Sequence, residues 1–210
     1  MNKNMYQEVQ FRYGDIAKRS GHTGSQHDSE EHIAKAFGYS TEDLCSLPDK
    51  ANLGLSCGNP VAYANMKEGE TVVDLGSGGG IDVFLAARKD MIELANNNAN
   101  SADLPNTLFI QASITSIPLP DSSVDCIISN CVINLVPRND KPSVFKEIAR
   151  LLKPGGRVAI SDILARKPLP QRVTDNLALY VGCIAGASQV PEYEEYMTSA
   201  GFKGTNSYAD

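Results

Sequence analysis

Three apolar runs mark the interior of this chain. Val72-Val73-Asp74-Leu75 is short and runs straight into Gly76-Ser77-Gly78-Gly79-Gly80. Val124-Asp125-Cys126-Ile127-Ile128-Ser129-Asn130 is nearly continuous, as expected of a parallel strand buried on both faces. Arg157-Val158-Ala159-Ile160-Ser161-Asp162 is the third. Each reads as a strand by length and composition. Between them the apolar positions recur at helical spacing. Ile81 to Lys89 carries Val83, Phe84, Ala86 and Ala87, and Lys141 to Leu152 carries Val144, Ile148, Leu151 and Leu152. Strands alternating with helices predict an α/β fold, a doubly wound, mostly parallel sheet of Rossmann-like type. Thr107-Leu108-Phe109-Ile110-Gln111 is expected to add a strand by composition.

The flanks read as helical. Tyr6 to Arg19 has helical spacing, Ser20 to Glu31 reads as a mobile surface loop, and Glu31 to Gly38 as a short helix. Ser40-Thr41-Glu42-Asp43 has the hydroxyl-then-acid pattern of a helix start. Pro60 is placed to open a helix over Val61 to Met66. Towards the other end, Val173 to Val181 and Glu192 to Ala200 read as helices, the latter ended by Gly201. The expected organisation is an N-terminal helical cap with a cysteine loop (1–68), an α/β domain (69–166) and a C-terminal helical segment (167–210).

One element is wanting. A doubly wound domain needs a second strand after its first helix, yet Lys89 runs directly into Asp90-Met91-Ile92-Glu93-Leu94-Ala95-Asn96, which reads as more helix. Either the chain does without that strand, or a turn plus a strand, roughly 12–15 residues, is missing from the sequence at this point. The regular flanks favour the second reading. Lys203 to Asp210 is likewise too short and polar for the strands that usually complete such a sheet.

Composition narrows the function. The 210 residues carry a net charge of -6, which gives no electrostatic case for nucleic acid or an anionic membrane. No apolar run approaches the roughly 18 residues of a membrane span, and Met1-Asn2-Lys3-Asn4-Met5 leads into no signal-peptide core. The expectation is a cytoplasmic monomer. Five irregularly spaced cysteines do not form a secreted disulfide framework. His22, His27 and His32 read as solvated side chains rather than metal ligands.

The glycine turn is where chemistry enters. A dinucleotide fingerprint wants G-x-G-x-x-G, but the third glycine position after Gly76 and Gly78 is Ile81. The pattern is acidic-x-G-x-G-x-G, with Asp74 at the strand end. It resembles the first motif of class I S-adenosylmethionine methyltransferases. The Leu152-Lys153-Pro154-Gly155-Gly156 turn before the third strand resembles them too. The resemblance implies a cofactor site of Asp74, Gly76, Ser77 and Gly78. Ser113 and Ile114 would lie beside the adenine, and Asn130 and Cys131 at the end of the second strand. Cys131 reads as packing against the cofactor, and Cys126 as a small core residue.

Four stretches sharpen the resemblance. Asn52-Leu53-Gly54-Leu55-Ser56-Cys57-Gly58-Asn59-Pro60, the glycine turn, Ser129-Asn130-Cys131-Val132-Ile133-Asn134-Leu135 and Gly182-Cys183-Ile184-Ala185-Gly186-Ala187 occur in that order. Together they resemble the arsenite S-adenosylmethionine methyltransferases, over about Phe37 to Phe202. The resemblance implies that Cys57 and Cys183 are catalytic thiolates holding trivalent arsenic, with Cys45 a third ligand or redox partner. It further implies S-adenosyl-L-methionine as cofactor, arsenite or its thiol conjugates as substrate, and a thiol reductant such as glutathione or thioredoxin. Soft arsenic selects thiolates, and its lone pair needs no general base. Thiols that work this way should be accessible and activated. Two alternatives remain open: a methyltransferase for a small organic acceptor such as a quinone, and a non-catalytic metalloid-binding protein.

Overall fold

The computed structural model describes residues 7, 9, 11–13, 25–47, 51–91 and 106–204. Its centre is a three-stranded parallel sheet in the order β1 (Val72–Leu75), β2 (Val124–Asn130), β3 (Leu152–Ser161). β1 pairs with β2 from Val72↔Cys126 to Leu75↔Ser129, and β2 with β3 from Cys126↔Arg157 to Asn130↔Ser161. The Lys153-Pro154-Gly155-Gly156 turn is carried within β3 as an irregularity of register.

The α-helices are α1 (Ser25–Ala36), α2 (Thr41–Cys45), α3 (Pro60–Tyr63), α4 (Ile81–Met91), α5 (Lys141–Leu151), α6 (Gln171–Thr174), α7 (Leu177–Val181) and α8 (Val190–Ser199), and five of these eight follow the sequence pattern closely. α1 and the pair α6–α7 depart from it. α1 begins at Ser25, inside the stretch expected to be loop. The helix expected over Val173 to Val181 is broken at Asp175 and Asn176, where the Asn176 side chain caps α7 by accepting from the Leu179 N–H. α2 has the expected capping box between Ser40 and Asp43, which satisfies two backbone donors at once. The Tyr6–Arg19 helix and Asp90–Asn96 fall largely outside the described residues.

Alternation along β2 sorts the core into two layers. Val124 and Ile127 pack with Val144, Phe145, Ile148 and Leu151 of α5 and Tyr193 of α8. Cys126 and Ile128 face the other way, onto Ala34, Tyr39, Val61, Ala64 and Leu85. Helices therefore cover both faces, which is the doubly wound arrangement. Cys126 is fully buried in this layer, as its apolar strand implies.

The strand expected over Thr107 to Gln111 is not formed. These residues join no ladder, and Leu108, Phe109 and Ile110 are 79%, 55% and 45% exposed. A strand needs a neighbour, and among the described residues none lies between α4 and this segment. Among the described residues the run therefore has no ladder to join.

Asp162 follows β3 and is half-buried, its Oδ2 accepting from the Tyr193 hydroxyl at 3.0 Å while Oδ1 is shut off from solvent. Burial raises its pKa to about 7, against the opposing effects of Tyr193 and Lys141. Because the folded state then binds a proton that the unfolded state has lost, stability falls as pH rises from about 4 towards 7. Asp162→Asn should flatten that slope, read by thermal unfolding across the range.

Candidate functional site

The site is assembled at the carboxyl ends of β1 and β2, where open parallel sheets bind ligands. β1 ends in the glycine turn, in which Gly76, Gly78 and Gly80 hold φ of +72°, +54° and +96°. A cavity of about 390 Å³ lies against this turn, bounded by Leu53, Asp74, Gly76 to Gly79, Asp82, Asn130 and Cys131. At its glycines the turn thus presents backbone, not side chain, to whatever occupies the cavity.

Two carboxylates share the cavity. Burial raises the pKa of Asp74, and the charge of Asp82 adds to the effect. Burial raises Asp82 too, while hydrogen bonds from Tyr39 and Asn130 favour its charged form. No described residue forms an ion pair with either. A cationic group placed between them would relieve both costs.

Asn130 ties this acidic corner to the cysteine loop. Its Nδ2 group donates towards Asp82 at 3.1 Å, the Tyr39 hydroxyl at 3.0 Å and the Gly58 carbonyl at 2.9 Å. Its Oδ1 accepts from the Cys57 N–H at 2.9 Å. The Tyr39 hydroxyl donates to Asp82 at 2.6 Å.

Three sulfurs meet at Cys131, which lines the cavity. Cys57 and Cys131 are joined as a disulfide, with Cα atoms 5.5 Å apart. The Cys183 thiol donates to the Cys131 carbonyl at 3.0 Å. All three sulfurs lie within 4.8 Å of one another. Cys131 and Cys183 hold φ of +61° and +64°, a left-handed backbone that costs energy for a residue other than glycine. Such strain persists where the surroundings over-determine it, often at functional sites.

The structure redistributes the residues singled out from sequence. Cys57 and Cys183 come together, but the third sulfur is Cys131 and not Cys45. Cys45 is a free, exposed thiol at the end of α2. Cys131 lines the cavity and belongs to the sulfur cluster as well. Cys183 is buried rather than accessible. Burial pushes its thiol up to about 11, with the Asp162 charge adding to the effect and Tyr13 and Lys141 opposing it. Asp74, Gly76, Ser77, Gly78 and Asn130 all line the cavity, whereas Ser113 and Ile114 do not. Ser113 bonds Thr115 in a surface turn, and Ile114 packs on the α5 layer. With no strand at Thr107 to Gln111, no described element carries that loop to the cavity. Asp82 and Tyr39 were not foreseen. An acid in the first turn of a helix reads as dipole compensation, and Tyr39 offers no sequence signal.

The parallel sheet, the glycine turn and the cavity above it define a doubly wound α/β protein with its ligand site at the strand ends. The chain belongs to the Methyltransferase domain family, which matches residues 66–201. It is similar to the arsenite methyltransferase of Halobacterium salinarum, 42% identical over 84% of this chain and 48% of that protein. It is 35% identical to the arsenite methyltransferase of Aquipseudomonas alcaligenes, over 94% of this chain and 62% of that one. Among solved structures it resembles the arsenic(III) S-adenosylmethionine methyltransferase of Chlamydomonas reinhardtii, with a TM-score of 0.57 and 31% identity over 80% of this chain and 61% of that one. The chain thus spans about half to three-fifths of the length of these relatives. No described helix is long and apolar enough to cross a membrane.

Proposed function

We propose that this chain transfers the methyl group of S-adenosylmethionine to trivalent arsenic held by Cys57, Cys131 and Cys183. One observation carries the reading: cysteines from three separate loops bring their sulfurs within 4.8 Å of one another, and one of them, Cys131, lines the glycine-turn cavity. Soft trivalent arsenic prefers such a sulfur set. Residues 69–166 would form the cofactor-binding unit, and the segments 1–68 and 167–210 would each lend it a cysteine loop.

The cavity fits the cofactor's amino-acid end. Asp74 and Asp82 supply paired negative charge for an ammonium, and the backbone of Gly76 to Gly79 lies open for a carboxylate. S-adenosylmethionine, when bound there, would supply an electrophilic methyl group to the arsenic lone pair. The protein's share is positioning: the sulfurs must hold arsenic in line, at roughly 3–3.5 Å from the carbon it attacks. Giving up the lone pair oxidises arsenic by two electrons. Cys57 and Cys131 can return those electrons by closing the disulfide seen here, and a thiol reductant such as glutathione or thioredoxin would reopen it. Arsenite or its thiol conjugates would be the substrate, and a cytoplasmic setting would keep the thiols reduced.

The test is transfer of radiolabelled methyl from S-adenosylmethionine to arsenite, with a thiol reductant present, compared with transfer to a quinone acceptor. Labelled methylarsenicals and no labelled quinone are expected. Label on the quinone alone would replace this reading by the organic-acceptor one, and arsenite binding without any transfer would replace it by metalloid binding.

A further inference from the structure

Lys141 opens α5 and is only 1% exposed. A buried ammonium is costly to desolvate, and a cation at a helix N-terminus opposes the helix dipole. An interior built only for stability would place an apolar side chain here. What surrounds the ammonium explains its presence. Nζ donates to Asn134 Oδ1 at 3.3 Å, to Ser188 Oγ at 2.8 Å and to the Gly186 carbonyl at 2.5 Å.

These acceptors belong to the two cysteine segments. Asn134 lies three residues after Cys131, in the 3₁₀ turn Ile133–Leu135. Gly186 and Ser188 lie three and five residues after Cys183. The segments touch backbone to backbone: a Cβ on Gly186 would come within 1.9 Å of the Asn134 carbonyl oxygen. The Asn134 amide also donates to the Ile163 carbonyl at 2.7 Å. α5 itself is fixed, since Val144, Phe145 and Ile148 are fully buried. The charged groups around Lys141 are Asp162, which follows β3, and Arg138, in the loop before α5. Burial lowers the lysine's pKa to about 8, Asp162 opposes that fall, and Arg138 adds to it.

We infer that Lys141 is the positioning residue that locks the Cys131 segment against the Cys183 segment and so sets the spacing of their thiols. The ammonium touches neither sulfur and acts through Asn134, Gly186 and Ser188. The consequence for arsenic rests on the function proposed above, but the spacing can be read without arsenic.

The experiment has two arms. In the first, reduced Cys57→Ser protein is oxidised with diamide, and closure of a Cys131–Cys183 disulfide is followed by peptide mass spectrometry. Adding Lys141→Met should slow closure by about tenfold or more, because an outer-shell partner that orients ligands typically governs a 10–100-fold effect. In the second arm, Lys141→Met in the otherwise native chain should weaken arsenite binding by about 10–100-fold. Its S-adenosylmethionine affinity should stay within about twofold, a split that general loosening of the fold would not give. Unchanged closure together with unchanged arsenite affinity overturns the inference. Slowed closure in a protein whose native form binds no arsenite sustains it and overturns the arsenic reading instead. Should Lys141→Met lose its cooperative thermal transition, Ser188→Ala removes one acceptor and should slow closure severalfold. No slowing there overturns the inference.

Discussion

Cys183→Ser and Cys131→Ser should each reduce methyl transfer to arsenite by at least about 100-fold, the scale on which misplaced reacting groups lose rate. The reason is geometric. The three sulfurs come from the loop before α3, the turn after β2 and the turn after α7, so none can substitute for another without moving a segment. The Cys131 and Cys183 backbones are already in the left-handed region, which fixes where each sulfur projects. Serine keeps the backbone and the volume but offers arsenic a hard oxygen in place of soft sulfur. S-adenosylmethionine affinity should persist in Cys183→Ser, because Cys183 does not line the cavity. Cys57→Ser should lose transfer on the same scale, since it too removes an arsenic ligand, and like Cys131→Ser it also removes a partner of the disulfide. Cys45→Ser should stay within about twofold of the native rate. Rates under single- and multiple-turnover conditions separate these outcomes. Native-like turnover in Cys183→Ser would remove arsenic from the sulfur cluster.

The ranking of the cysteines was only half legible in the sequence. Cys57 and Cys183 stand in glycine-bearing loops, where core packing explains a cysteine poorly. Cys131 stands directly after an apolar strand, where packing explains it well, and only the left-handed turn at Cys131 swings its sulfur towards Cys57. Cys45 lies closer to Cys57 in sequence, but sequence proximity says nothing about which loops meet in space. Lys141 was invisible for a related reason. A lysine at the start of an amphipathic helix reads as solvated, and its burial depends on the two loops folding over it. The sheet was more legible, because β2 declares itself by a continuous apolar run and the α5 face by spacing. Thr107 to Gln111 fails for lack of a neighbour: composition specifies a strand's readiness to pair, not the presence of a partner.

Gly76→Ala should weaken S-adenosylmethionine binding by about 100-fold or more and lower stability by about 2–4 kcal/mol, combining left-handed strain with overpacking. Both costs are visible. Gly76 holds φ of +72°, where a Cβ meets its own backbone. That Cβ would also come within 2.6 Å of Val132 Cγ2 and 2.9 Å of Cγ1. A β-branched side chain has few rotamers in which to yield, so the turn or Val132 must shift. Val132 directly follows Cys131, and either movement reaches both the cofactor cavity and the sulfurs. Gly78 makes the internal control. Its φ is +54°, but a Cβ there would find nothing nearer than 4.0 Å. Gly78→Ala should therefore cost only the strain, about 1–2 kcal/mol. Calorimetric titration with S-adenosylmethionine and thermal unfolding would measure both effects. The pairing of Gly76→Ala with Val132→Ala decides the cause, since shortening Val132 removes both clashing methyls and should restore most of the lost binding. If the double variant binds no better than Gly76→Ala alone, the damage lies in the turn's own backbone, and the seat formed by Gly76 to Gly79 tolerates no change in its course.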